Sequence, residues 1–299
     1  MSKIKPATTS SLVLANSSLT LTLKWSQVEP VKTKIERRLA KKVKQDGFRQ
    51  GKVPFTVAKT YLNPQAVIES TLEQLLPDAF IEQVKKMAQP PIVPPEYVVK
   101  KAEIGQDWQI EAIYAVRPEV KLGNYQPVVK SALKEAETRY QKELKAQDKV
   151  SQQDKKSPAK KVTPPGSPTE DYLLSAVYKQ LVATIRPAVQ ELLIQRETQS
   201  ELENLASKLE SVHISFADYL KKSQLTFEQL RTELAAQSLG RLQLIFILQA
   251  IAEQAKLSVS DSQLDQELKD QKANPQLRSM AREHLLHQKI ASHLLALNK

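Results

Sequence analysis

The chain reads as an α+β domain followed by an all-α domain. Three observations predict this. Near the front, Leu19, Leu21, Leu23 and Trp25 alternate with polar residues, the period of a half-buried strand. A second alternation at Trp108, Ile110, Ala112, Tyr114 and Val116 follows two helical patterns. From residue 169 to the end no convincing strand pattern occurs, and apolar residues recur at helical spacing. The expected boundaries are 1–122 for the α+β domain, 123–168 for a polar helix and flexible basic linker, and 169–299 for the helical domain.

Taken in order, residues 12–25 form the first strand. Ser26 and Glu29 have the spacing of a capping box, with Pro30 tolerated in a first turn. The helix that follows carries Val31, Ile35, Leu39 and Val43 on one stripe and Lys32, Lys34, Arg37, Arg38, Lys41, Lys42 and Lys44 on the others. It is expected to end near Gly47, a residue suited to the left-handed C-terminal conformation. Asn63-Pro64 then starts a helix as cap and first residue. Val67, Ile68, Leu72, Leu75, Leu76, Phe80, Ile81 and Val84 mark its apolar positions, and Pro77 should kink or split it. A proline cluster, Pro90 to Pro95, precedes a hairpin that turns at Ile104–Asp107.

Asn124 onward reads as a polar helix. Val150 to Pro168, rich in Lys, Ser, Pro and Gln, cannot bury enough surface to offset its ordering entropy. Leu173, Leu174, Val177, Tyr178, Leu181, Val182 and Ile185 form a wide apolar face that ends near Pro187. Ser215, Thr226 and Ser260 or Asp261 are caps for later helices. Leu242 to Leu257 is apolar on nearly every side, as in a helix buried within a bundle.

The chain has six glycines, and two of them, Gly47 and Gly51, stand four residues apart. They bracket Phe48, Arg49 and Gln50 and are followed by Lys52 and Pro54. Gly adopts positive φ without a Cβ penalty, so such a loop can turn sharply and present the Phe-Arg pair. The opposing reading tucks Phe48 back under the loop as local core. The stretch "DGFRQGKVP" resembles the ribosome-docking signature of the trigger factor family, bacterial chaperones that sit at the ribosomal exit tunnel. The flanking order of elements and "RPEVKL", Arg117 to Leu122, are similar to that family too. The resemblance implies that Gly47, Phe48, Arg49, Gln50, Gly51, Lys52 and Pro54 make the contact with an exit-tunnel ribosomal protein and nearby rRNA. Gln50 stands where the family commonly has a basic residue, which implies weaker docking.

The same resemblance implies a helical cradle for unfolded nascent polypeptides. Its candidate contacts are Phe216, Tyr219, Leu220, Leu285, Leu286, Leu294 and Leu295. Full-length trigger factors also carry an FKBP-type prolyl-isomerase domain. The stretch between the two domains here is short and poor in aromatics, so that module is expected to be absent. The implied protein is an ATP-independent chaperone with no cofactor. Whether it forms a weak homodimer off the ribosome stays open, as do two other readings: a ribosome-independent holdase of similar fold, and a basic RNA-binding protein.

The totals bound these readings. The net charge is +11. Residues 1–125 carry +7, 126–168 carry +5 and 169–299 carry −1, which points to a polyanion at the front end or, in the simpler reading, to a solvated basic surface there. The absence of cysteine excludes disulfides and thiolate metal sites and suits a cytoplasmic location. No signal-peptide pattern opens the sequence, and "LQLIFILQAIA" is too short to span a bilayer, so no membrane partner is expected. His284, His287 and His293 lack zincin spacing, and no phosphate loop, Gly-x-Ser-x-Gly or dinucleotide fingerprint occurs. No metal site and no catalytic centre are expected.

Overall fold

The computed structural model describes residues 12–49, 53–153, 167–268 and 274–298. The front of the chain runs β1 (Val13–Leu14), β2 (Ser17–Leu23), α1 (Trp25–Ala40), α2 (Phe55–Thr60), α3 (Pro64–Val84), β3 (Glu96–Lys101) and β4 (Trp108–Tyr114). Then come α4 (Gln126–Gln153), α5 (Glu170–Ile185), β5 (Val189–Gln190), α6 (Glu191–Ser211), α7 (Phe216–Ser223), α8 (Phe227–Gln254), α9 (Asp261–Leu268) and α10 (Pro275–Ala296).

One compact unit comprises Ala15–Arg117 together with Gln190–Leu193. Its antiparallel sheet has the order β2-β4-β3. The register places Leu19 opposite Ala112, Leu21 opposite Ile110 and Leu23 opposite Trp108, so the alternation read from the sequence builds one face. That face packs on Val28 of α1 and on Leu72, Leu76 and Phe80 of α3. The Trp25 and Trp108 rings lie 6.5 Å apart.

Several local expectations yield to tertiary contacts. No side chain caps α1 at Ser26. The helix starts two residues earlier, with Lys24 at the cap position, and the Trp25 N–H donates to the Asp107 carboxylate of the hairpin turn at 2.8 Å. It ends at Ala40 rather than near Gly47. Pro77 does not split α3, because the proline is exposed, as is Glu73, whose carbonyl loses its donor and can turn to water. The short helix α2 was not foreseen. Asn63 caps α3 as expected, its side chain accepting from the Gln65 N–H.

A second piece of sequence completes this unit. The buried Gln190 side chain accepts from the Val116 N–H at 2.7 Å and donates to the Ala15 carbonyl at 3.2 Å and to Ser17 Oγ at 3.0 Å. Asn16 Oδ1 accepts from the Leu192 N–H at 2.7 Å. The expectation of no strand in the back half fails at β5: the Val189 N–H donates to the Leu12 carbonyl, and Arg186 breaks the preceding helix with a φ of 43°.

The helical unit comprises Met1–Leu14, Pro118–Val189 and Ile194–Lys299. Its core is Val129 and Leu133 of α4, Val177 and Leu181 of α5, Ile247 and Ile251 of α8, and Ile290 and Leu294 of α10. The helix expected to be a polar connector is thus a core element: Val129, Ala132, Leu133 and Ala136 make a narrow stripe among its charges. Residues 154–166 of the expected linker lie outside the described residues. Thr226 and Gln229 close a reciprocal capping box on α8, Ser215 caps α7, and Ser260 and Gln263 pair at the start of α9. The short apolar run is part of a 28-residue helix, α8, the one described helix long and apolar enough to cross a membrane. Phe246, Ile247, Leu248, Ile251 and Ala252 of that helix are buried in the protein.

Candidate functional site

Past Ala40 the chain tightens, with the Lys42 N–H on the Leu39 carbonyl and the Val43 N–H on the Ala40 carbonyl. A turn follows over Gln45–Phe48, closed by the Phe48 N–H donating to the Gln45 carbonyl at 3.1 Å. Gly47 occupies its third position with φ of 84°, the conformation a type II turn requires there. A Cβ on Gly47 would meet nothing within 4 Å, so the requirement is conformational rather than spatial. The turn leaves Phe48 46% exposed and Arg49 exposed, which disfavours the tucked reading. Gln50, Gly51 and Lys52 lie outside the described residues. Pro54 sits at the N-cap of α2, where its carbonyl accepts from the Val57 and Ala58 N–H groups.

Beside the loop, Lys34, Arg37, Arg38, Lys41, Lys42 and Lys44 are exposed. Lys32 is not part of that solvated face. It turns onto Glu36, a carboxylate 6% exposed, which also pairs with Lys59 at 3.1 Å. Burial alone would raise the Glu36 pKa, but the hydrogen bonds and charges of Lys32 and Lys59 outweigh it and hold the group below its ordinary value. Arg37 and Lys59 each lie 6.0 Å from the centre of the Phe55 ring. Sequence reasoning missed Glu36, Phe55 and Lys59. The Lys32-to-Glu36 spacing was a legible signal; the approach of α2 was not. A pocket of about 360 Å³ opens here, lined in part by Trp25, Glu29, Lys32, Glu36, Lys59 and Ile104.

The candidate substrate contacts separate into kinds. Phe216 and Tyr219 are half-buried with ring centres 6.4 Å apart, and Phe216 lies 6.1 Å from Phe227, which is 46% exposed. Leu220 is half-buried on the same helix. Leu285 lines a pocket of about 700 Å³ with Leu257 and Lys289, while Leu286 and Leu295 pack partly buried against the core. Leu294 is fully buried and is a core residue, not a surface contact: it belongs to one apolar cluster with residues of α4, α5 and α8. Exposed Val212 and Met280 were not singled out in the sequence. His293 bonds the Tyr125 hydroxyl at 3.0 Å and His284 bonds Gln288 at 2.9 Å. Among the described residues no three metal-ligating side chains cluster.

Two family models match the chain. One, described as bacterial trigger factor protein, matches residues 7–150, and one for the C-terminus of the same protein matches residues 167–295. The trigger factor of Streptococcus mutans serotype c (strain ATCC 700610 / UA159) is 33% identical over 107 residues, covering 36% of this chain and 25% of the relative. That of Staphylococcus aureus (strain JH9) is 34% identical over 107 residues, with the same coverage. The chain thus matches about a quarter of the length of these relatives. A solved structure from work on promiscuous substrate recognition in folding and assembly activities of the trigger factor chaperone superposes with a TM-score of 0.54 at 13% identity, covering 95% of this chain and 97% of its own. At that identity the superposition bears on the fold alone: an α+β front unit and a helical unit. The two family models, each matching its own part of the chain, show that the protein belongs to the trigger factor family.

Proposed function

We propose that this protein is an ATP-independent, ribosome-associated chaperone of the cytoplasm. It docks near the exit tunnel through Gly47–Pro54 and shields nascent polypeptides with its helical unit. The observation that carries the reading is the Phe48–Arg49 pair, held out from the domain by a turn that Gly47 closes with positive φ. An aromatic anchor rimmed by cations fits a charged protein-and-RNA surface, and the exposed cations of α1 extend that surface toward phosphates. The half-buried aromatics Phe216 and Tyr219 and the exposed Phe227 supply apolar contacts for extended chains. Each contact is small, so capture rests on several acting together and on tethering near the emerging chain. The two family models leave only residues 151–166 between their matches, so the reading places no prolyl-isomerase module between the two parts. A proline peptide should isomerise no faster with the pure protein than alone.

The test is co-sedimentation with ribosomes at graded salt, beside a naked-RNA control and an aggregation assay without ATP. Binding should weaken as salt rises. Binding equal on naked RNA would favour the RNA-binding reading. Aggregation suppression with no ribosome binding would favour the free holdase.

A further inference from the structure

We infer that Glu36, Phe55 and Lys59 form a clamp that sets the stem of the docking loop and so positions Phe48 and Arg49 for their contact, an inference that rests on the docking reading. The loop leaves α1 after Ala40 and enters α2 at Phe55. One turn before the exit, Glu36 and Arg37 stand side by side in α1. At the entrance, Phe55 and Lys59 stand one turn apart in α2. Two links join the two helices, the Lys59 ammonium on the Glu36 carboxylate at 3.1 Å and the Arg37 guanidinium 6.0 Å from the Phe55 ring centre; within α2 the Lys59 ammonium lies at the same distance from that ring. Lys32 closes the other side of the carboxylate, and Ala58, fully buried, seats α2 from beneath.

These groups are poor candidates for the contact itself. Glu36 is 6% exposed, and its charge opposes the phosphates that the neighbouring cations suit. Their placement at both ends of the loop gives them another role. Fixing the two ends restricts the conformations of the chain between them. A loop ordered before binding loses less entropy when it binds. Phe55, Lys59 and Glu36 are therefore positioning residues.

The chain has no cysteine, so Asp46→Cys gives a single labelling site within the exposed turn. Rotational mobility of a probe there is read in the free protein, and ribosome affinity is read in unlabelled protein. The variants are Phe55→Leu, Glu36→Gln and Phe55→Tyr, with thermal unfolding of each. Phe55→Leu removes the ring face, so the probe should gain mobility and affinity should fall about two- to fivefold with loss of the Arg37–ring contact between the helices. Glu36→Gln should act in the same direction. Phe55→Tyr keeps the ring face and should restore both. If Phe55→Leu and Glu36→Gln lower the melting temperature but leave probe mobility and affinity unchanged, the clamp is only a structural contact and the inference fails. If Phe48→Ala, Arg49→Ala leaves ribosome binding intact, the docking reading fails by itself; unchanged mobility in the clamp variants would then sink the clamp separately.

Discussion

Replacing Gln190 with leucine should destabilise the α+β unit, although the residue stands more than 70 positions beyond that unit's last strand. Its side chain is 7% exposed and makes three hydrogen bonds, to the Val116 N–H, the Ala15 carbonyl and Ser17 Oγ. A net hydrogen bond contributes about 0.5–1.5 kcal/mol, and a buried partner left unsatisfied costs about 1–3 kcal/mol. Leucine keeps much of the volume but satisfies none of the three groups. The expected loss is about 2–4 kcal/mol, a large share of the stability of a domain this size. Both tryptophans of the chain, Trp25 and Trp108, lie in this unit, so urea unfolding followed by tryptophan fluorescence reports on it selectively. With a slope of about 1–3 kcal/mol per molar urea, the midpoint should fall by at least about 0.7 M. A midpoint unchanged within about 0.2 M would refute the view that residues 190–193 are part of the α+β fold.

Four further outcomes follow from small substitutions. Gly47→Ala puts a Cβ in the left-handed region at about 1–2 kcal/mol; the exposed turn escapes that cost by leaving its positive-φ form, so ribosome binding should weaken while the tryptophan unfolding midpoint stays nearly unchanged. Because the folded pKa of Glu36 is lowered, its ion pairs contribute stability above the unfolded carboxylate pKa, and that contribution disappears as pH falls through the folded value; acid unfolding should therefore show the wild-type advantage over Glu36→Gln shrinking below about pH 4. Leu294→Ala should cost the helical unit about 2–5 kcal/mol by opening a core cavity, measured by circular dichroism, whereas Phe216→Ala, Tyr219→Ala should reduce aggregation suppression with little loss of helix.

The elements legible in the sequence are those whose signal is local. Leu19, Leu21 and Leu23 fix a strand face by period alone, and Asn63, Ser215 and Thr226 cap the helices their chemistry favours. The failures are through-space. Asp107 reaches the start of α1 from a hairpin 82 residues away and overrides the Ser26–Glu29 spacing. Gln190 joins the front unit across more than 70 residues. The stripe of α4 was hidden by the charges around it, and Leu294 looks like surplus surface until it joins a core shared with three other helices. The turn at Gly47 was readable because glycine at positive φ is a local demand; the ion pair beneath it was not, because Lys59 meets Glu36 only once α2 folds back on α1.

The central claim is that Phe48 and Arg49 tie this protein to the ribosome. Its most direct measurement is the equilibrium affinity of the full chain for purified ribosomes at fixed ionic strength, compared with Phe48→Ala, Arg49→Ala. Both residues are exposed on a turn whose geometry rests on Gly47, so the double variant should fold with an unchanged tryptophan unfolding midpoint and lose at least about 2 kcal/mol of binding, roughly thirtyfold in affinity. Equal affinity of the two proteins for ribosomes would contradict the docking assignment outright.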